Sequence, residues 1–438
     1  MATSDYLSIR RVRKSAAADI DATKRVLIYG INYSPEPIGV GRYTGELGAY
    51  LSGEGMTVEV VTAVPHYPGW SLRDGYRNRY VAQRSGHISI MRCPLFLKRP
   101  CSGFWRLVAP LSFAITSAPV VFWRILATRP DTVLCVEPTL FCAPVALFAA
   151  RLIAARTVLH IQDLELDAAF AVGHLRAGAL ARAGRWFERI ILRRFDGIVT
   201  ISKRMRGKIE EKGVSPNKIV VVRNWVDLMK IKPMPTGWSR FRDALNIPQD
   251  AFVLLYSGNI GPKQALPLVL DAAVRLADRK GLIFVIAGEG PDKKKLMEDH
   301  GHLPNVRFLP LQPEEHLGEF LSVASVHILP QLAGTADLVL PSKLGGMLAS
   351  GKLCIVMADE GTELHEFLSG TALLVPPGRH SGSLRFHYIG QRGSVYRQRR
   401  APKRGSTVAD GGKEFACTIA CYLCNWRPCA SSQRKPYR

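Results

Sequence analysis

The sequence predicts an α/β protein of two doubly wound domains, each a parallel sheet with helices on both faces. Three observations predict it. Short β-rich apolar runs alternate with helical stretches from about residue 25 to residue 375. The alternation breaks once, near residue 230, in a segment rich in Pro, Met and Gly. Hydrophobic residues at 47% and charged residues at 22% are ordinary globular usage, which excludes a disordered chain, a fibrous repeat and a disulfide-held mini-protein.

Residues 1–24 carry charges of both signs without apolar periodicity and read as a flexible leader. Arg25–Ile31 is a run suited to a strand buried on both faces. A Pro- and Gly-containing loop, a helix to about Gly53 and the strand Thr57–Thr62 complete one βαβ unit, whose crossover should be right-handed. Further strands are expected at Asp131–Val136, Arg156–Ile161 and Asp196–Ile201, which makes residues 25–228 the first domain. The rhythm restarts with strands at Ala251–Ser257, Gly281–Ala287, Asn305–Leu309, Val326–Leu329, Lys352–Met357 and Thr371–Val375, so residues 229–378 are the second. After Pro377-Gly378 the pattern stops, leaving this domain without closing helices. A cleft between two such domains would face the carboxyl ends of both sheets, where these folds bind ligands.

The charge is unusual: 59 Lys and Arg against 36 Asp and Glu, net +23. Residues 379–438 hold 13 basic and 2 acidic residues, so nearly half the excess sits in a tail rich in Arg, Ser, Gly and Cys. That tail reads as structureless or as an out-of-frame translation of GC-rich DNA. Its Cys421-x-x-Cys424, with Cys417 and Cys429, has zinc-like spacing but no ordered surroundings. No aromatic-interleaved sheet or reading helix accompanies the basic residues, so specific nucleic-acid binding is not expected. The other five cysteines are scattered, and the start of the chain has no signal-peptide core, which together predict a reducing cytoplasm.

Several segments suit anions. The first βα loop carries Gly39, Gly41 and Arg42, and reads either as a plain turn or as backbone N–H groups open to a phosphate. The second domain has Gly258, Asn259 and Lys263 after one strand, Gly288 after the next, and Ser342-Lys343 opening a helix. Each alone is ordinary capping; together they place anion donors on one rim, as a diphosphate requires. His160 and Asp163 close a strand at the expected lip of the cleft, where a His is either a structural hydrogen-bonding residue or a functional one. Pro65-His-Tyr-Pro-Gly-Trp70 is either a rigid loop or an acceptor platform. Leu107–Trp123 is seventeen residues without a charge, short of the ~20 that span a bilayer and interrupted by Pro110 and Pro119. It reads as a buried helix or, with its basic flanks and Arg185–Arg194, as an interfacial segment on an anionic membrane. No H-E-x-x-H, Asp-x-Asp or His/Cys cluster supports metal catalysis in the ordered part.

Tyr29–Glu36, Pro138–Pro144, Ala155–Asp163, Tyr256–Gly261 and Leu340–Leu344, in this order, resemble the family-4 glycosyltransferases, nearest the colanic-acid fucosyltransferase branch. The resemblance covers about residues 25–378. It implies a GT-B fold and a retaining, metal-independent transfer from a nucleotide-diphosphate sugar to a polyprenyl-diphosphate-linked saccharide, in exopolysaccharide synthesis at the inner face of the cytoplasmic membrane. By position, it implies that Gly39, Gly41 and Arg42 face the donor phosphates and that His160 and Asp163 lie near the transferred sugar. Gly258, Asn259, Lys263, Ser342 and Lys343 would hold the diphosphate, and Glu363 would be a loop acid near the donor. The sequence departs from the family pattern at Gly346, where many members place a ribose-binding Glu, and at Asn259, where many carry Arg. The Gly346 departure and the abrupt end of the pattern at Gly378 give a second expectation: a GT-B-fold nucleotide-binding or scaffold protein with impaired catalysis.

Overall fold

A computed structural model of the chain describes residues 24–98, 105–138, 140–164, 179–234, 239–332 and 341–377. The expected leader and tail lie outside the described residues. The chain forms two compact units that divide between Arg223 and Asn224.

In the first unit, β1 (Arg25–Tyr29) leads through α1 (Val40–Gly53) to β2 (Thr57–Ala63), then β3 (Val81–Ser85) and β4 (Ile88–Cys93). α2 (Trp105–Thr128), β5 (Thr132–Glu137), α3 (Ala143–Leu152) and β6 (Arg156–Ile161) follow. α4 (Ala179–Arg194), β7 (Gly197–Thr200), α5 (Lys203–Glu211) and β8 (Ile219–Val221) close the unit. The sheet order is β3-β4-β2-β1-β5-β6-β7-β8, parallel except for the β3–β4 hairpin. β1, β5 and β6 are Val-, Ile- and Leu-rich and buried almost throughout, because helices cover both faces. The all-parallel expectation is corrected at one edge: β3 (VAQRS) is largely exposed and antiparallel. Polar side chains on an edge strand also discourage pairing with another chain.

The second unit contains α6 (Arg240–Ala244), β9 (Phe252–Ser257), α7 (Leu266–Arg275), β10 (Leu282–Ala287), α8 (Lys293–His300) and β11 (Val306–Leu309). It continues with α9 (Glu314–Ser322), β12 (Val326–Leu329), α10 (Lys343–Ala349), β13 (Leu353–Met357), α11 (Glu363–Leu368) and β14 (Leu373–Val375). Its parallel sheet runs β11-β10-β9-β12-β13-β14. Apolar clusters line both faces, one around Tyr256, Phe284 and Leu270, another around Val253, Leu255 and Phe320.

In each sheet the winding direction reverses at the first strand of the unit. β1 lies between β2 and β5, and β9 between β10 and β12. The carboxyl ends of β1 and β9 are therefore the topological switch points, where doubly wound folds bind ligands. The glycine loops that follow these two strands sit there.

α2 differs from expectation. It runs 24 residues with Pro110 and Pro119 inside it, and by length and apolarity passes as a membrane span. Burial of Phe113, Val121 and Ile125 holds the helix through both prolines, tertiary packing overriding the local break. Among the described residues one face of the helix is buried, at Phe113, Ser117, Val121 and Ile125, and the opposite face is exposed. Leu111, Ile115, Pro119 and Trp123 recur every fourth residue as one outward apolar stripe. Phe141, Pro144, Phe148 and Leu152 make a parallel stripe on and just before α3, and Phe122 stacks on Phe148 with ring centres 6.1 Å apart. α4 adds exposed Trp186 amid Arg182, Arg185, Arg189 and Arg193.

Candidate active site

In the second unit, two loops at the sheet's carboxyl end are laced by main chain. Gly258 N–H donates to Ala287 O at 2.9 Å, Ile260 N–H to Glu289 O at 2.8 Å, and Asp292 N–H to Ile260 O at 3.3 Å. Glycine is required at one side of this contact. A Cβ on Gly288, whose φ is 152°, would lie 1.7 Å from the Gly258 carbonyl oxygen.

Lys343, first residue of α10, lays its side chain along this pair of loops. Its Nζ donates to Tyr256 Oη at 2.8 Å and stands 4.0 Å from the Tyr256 ring centre. The Tyr256 hydroxyl in turn donates to Asn259 O. A Cβ on Gly258 would meet Lys343 Cδ at 3.1 Å, so this glycine gives the lysine its channel. Burial, with no carboxylate partner among the described residues, lowers the Lys343 pKa to about 7. Burial likewise raises that of Tyr256, which stays a neutral phenol.

Gly258, Gly288, Asn259 and Lys343 are thus brought together. Asn259 is exposed, its amide 3.4 Å from Gln264 Oε1, and Lys263 is exposed one residue before Gln264. Ser342 precedes Lys343 at the helix start, exposed. Glu363 lies at the start of α11 rather than in a loop and is buried, a correction to its expected setting. Thr362 caps that helix by accepting from the His365 N–H, which turns the chain inward there. Gly346 faces the interior: a Cβ there would stand 3.3 Å from Leu321 and 3.5 Å from Ile231.

In the first unit, Gly39 (φ 67°) leads into α1, and Gly41 lies against Glu36, whose Oε2 would be 2.5 Å from a Cβ. Arg42 is engaged along its own helix, pairing with Glu46 at 2.8 Å. His160 does not stand at an open lip. It is 1% exposed, near the end of β6, with Nε2 accepting from Gln162 Nε2 at 3.1 Å. Burial lowers its pKa to about 4, so the ring is neutral at pH 7. Asp163 follows two residues beyond the strand, half-buried. Among the described residues no group of three or more His, Cys, Asp or Glu side chains could hold a metal ion.

Sequence reasoning missed Tyr256, which reads as one more apolar residue of β9, and the buried pair Glu36 and Arg92 in the first unit. An Arg inside the otherwise apolar β4 and a Glu between two prolines were the available signals.

Two doubly wound units, each with a glycine loop at the switch point of its sheet, are the architecture of the GT-B glycosyltransferases. The chain belongs to the family-4, GT-B glycosyltransferases. Residues 39–225 match the glycosyl transferase 4-like domain, and residues 239–381 match glycosyl transferases group 1. It is 39% identical over 365 residues to WcaI of Escherichia coli strain K12, which carries the name of a colanic acid biosynthesis glycosyl transferase; the match covers 81% of this chain and 88% of WcaI. Its fold is similar to that of sucrose-phosphate synthase from Thermosynechococcus elongatus (TM-score 0.61, 14% identity, 92% and 96% of the two chains). It is also similar to Anabaena HepE, solved in complex with UDP-glucose (TM-score 0.56, 14% identity, 91% and 95%).

Proposed function

We propose that this glycosyltransferase moves a hexose or deoxyhexose from a nucleotide-diphosphate sugar to a polyprenyl-diphosphate-linked saccharide, in the assembly of a cell-surface polysaccharide. The observation that carries this reading is Lys343, held by Tyr256 against the Gly258 and Gly288 loops at the carboxyl end of the second sheet. The name of WcaI and the UDP-glucose bound by HepE support the choice of pathway type and donor class.

The second unit holds the donor diphosphate beside the Gly258 and Gly288 loops, where the absence of side chains lets it approach, with Asn259, Lys263, Ser342 and Lys343 as polar and charged contacts. Glu363 acts from beneath as a positioning residue. In the first unit, Gly39, Gly41 and Arg42 serve the phosphates, Asp163 the transferred sugar, and the neutral His160 acts through Gln162. As the bond from the anomeric carbon to the phosphate oxygen breaks, negative charge grows on the leaving diphosphate. Fixed dipoles and the Lys343 charge stabilise that charge more in the transition state than in the ground state. The acceptor hydroxyl bonds to the anomeric carbon on the same face, and its proton passes to the departing phosphate oxygen. This gives retention without a side-chain base and without a metal ion or other cofactor.

The apolar stripes of α2 and α3, beside the arginines of α4, fit peripheral contact with an anionic bilayer on the cytoplasmic side. Lipid-linked acceptors lie there.

Incubation of the purified chain with UDP- and GDP-sugars and a polyprenyl-diphosphate-linked sugar tests the function, with lipid-linked disaccharide of retained configuration as the expected product. Gly346 favours a second reading, since its inward packing leaves no ribose-binding Glu at that position. Nucleotide binding without turnover across donors would select that scaffold reading.

A further inference from the structure

The loop after β2 reads from the sequence as either a rigid loop or an acceptor platform, and its setting makes it rigid. Its own main chain closes it, Ser71 N–H donating to His66 O at 3.2 Å and Arg73 N–H to Pro65 O at 3.1 Å. From the loop after β1, Glu36 reaches beneath it. This carboxylate, 3% exposed, accepts from the main-chain N–H groups of His66 and Tyr67, each at 3.1 Å, and from Asn32 Nδ2 at 2.8 Å. A buried guanidinium adds a second brace. Arg92 donates to Ser34 O at 2.7 Å, to Ala63 O at 3.2 Å and to Gln83 Oε1 at 2.7 Å. The Arg73 guanidinium also donates to Pro35 O. Buried ions are a costly way to hold a turn, and apolar packing does it for less. Glu36 ties the first loop to the second by hydrogen bonds, and Arg92 ties the first loop to the end of β2 and to β3 while standing 5.3 Å from the ring centre of Tyr76 in the second.

What those loops present is a pair of rings. Tyr67 is 37% exposed, Trp70 is half-buried, and they meet edge to face with centres 6.5 Å apart at 78°. Trp70 has φ 50°, in the left-handed region that strains a bulky residue. The indole packs edge-on against the buried His66 ring, centres 5.9 Å apart, and keeps part of its surface exposed. Tyr67 also flanks the glycine loop, its Cε1 3.5 Å from where a Gly39 Cβ would stand.

We propose that Tyr67 and Trp70 form a stacking platform for the apolar face of a pyranose ring at the switch point of the first sheet. Polarised C–H groups on one face of a pyranose suit the negative face of an aromatic ring, and two rings at a right angle give that sugar a floor and a wall. The proposal rests on the glycosyl-transfer reading for its ligand class. The pyranose is either that of the acceptor saccharide or that of the nucleotide sugar.

Saturation-transfer NMR on the full chain separates these sources, using the methyl glycosides of glucose, galactose, mannose and fucose, and UDP-glucose, GDP-mannose and GDP-fucose. Ring-proton signals are expected in the wild type and in Tyr67→Phe, and to weaken about tenfold in Tyr67→Ala and Trp70→Ala at unchanged melting temperature. Loss confined to free glycosides assigns the platform to the acceptor; loss confined to the sugar of the nucleotide sugars assigns it to the donor. Uridine and guanosine signals should not change in either case. Sugar signals indifferent to Tyr67→Ala and Trp70→Ala, or absent from the wild type with every probe, would overturn the platform. A wild type that binds sugars through Tyr67 yet turns over no donor sinks the transferase reading alone.

Discussion

The ammonium of Lys343 is held at 2.8 Å by the hydroxyl of Tyr256 and at 4.0 Å from the centre of the same ring. One residue thus supplies both an acceptor and a π-face to a half-buried cation. Among the described residues no carboxylate takes that role, so the charge Lys343 carries when protonated is not already neutralised before an anion arrives. Lys343→Ala should lower turnover by about 10²-fold, the loss that follows removal of one charge-stabilising donor. Steady-state kinetics with saturating donor check it, and wild-type turnover would remove Lys343 from the transfer centre.

The lowered pKa of Lys343, about 7, makes the free enzyme's charge pH-dependent. As pH rises through 7 the lysine of the free enzyme loses its proton, so kcat/KM for the donor should fall on the alkaline side. Tyr256→Phe removes a hydrogen-bond acceptor that favours the charged form. The alkaline limb of that variant should move to lower pH, and a pH profile indifferent to the substitution argues against the pairing.

His160 and His327 are buried neutral imidazoles, with pKa values lowered by burial to about 4 and about 3. An unfolded histidine titrates near 6.5. Between that value and the folded one the unfolded state binds more protons, so stability is full above 6.5 and falls as pH drops. Chemical denaturation at pH 7 and pH 5 should show the loss. His160→Asn and His327→Asn should each flatten the slope.

Gly288→Ala puts a methyl group 1.7 Å from the Gly258 carbonyl oxygen, at a φ of 152°. The two loops must separate, and a cost of about 3 kcal/mol with loss of nucleotide binding is expected. Urea unfolding and nucleotide titration measure both.

Ile115 and Trp123 are 66% and 69% exposed on one stripe of α2. Ile115→Glu with Trp123→Glu should abolish co-sedimentation with vesicles of phosphatidylglycerol and phosphatidylethanolamine while leaving the melting temperature unchanged. Retained sedimentation would place the membrane contact elsewhere.

The strands of both sheets were legible because a strand buried on two faces has to be an apolar β-branched run. Arg156–Ile161 and Val326–Leu329 form with the expected bounds, and the others shift by one or two residues. Three strands escaped: Val81–Ser85 has one partner strand and mostly solvent around it, Ile88–Cys93 carries Arg92 in its apolar pattern, and Ile219–Val221 is only three residues long. The apolar run was read as seventeen residues because Arg106 and Arg124 bound it, and α2 extends past both charges and through both prolines. At the site, the glycines were readable from their place after strands, since close main-chain approach excludes a side chain. Tyr256, Glu36 and Arg92 were not, because each acts on a residue distant in sequence: Lys343 for the first, His66 and Ser34 for the others.

The lacing of Gly258 and Ile260 to Ala287 and Glu289 has a thermodynamic corollary. Loops already joined by their own main chain have no ordering left to undergo when a ligand arrives. Nucleotide binding to the second unit should therefore carry a small heat-capacity change, set by the surface the nucleotide covers. It should lack the large negative value that accompanies coupled folding. The same rigidity leaves the loops one width, so discrimination among nucleotides falls to side chains around them rather than to adjustment of the backbone.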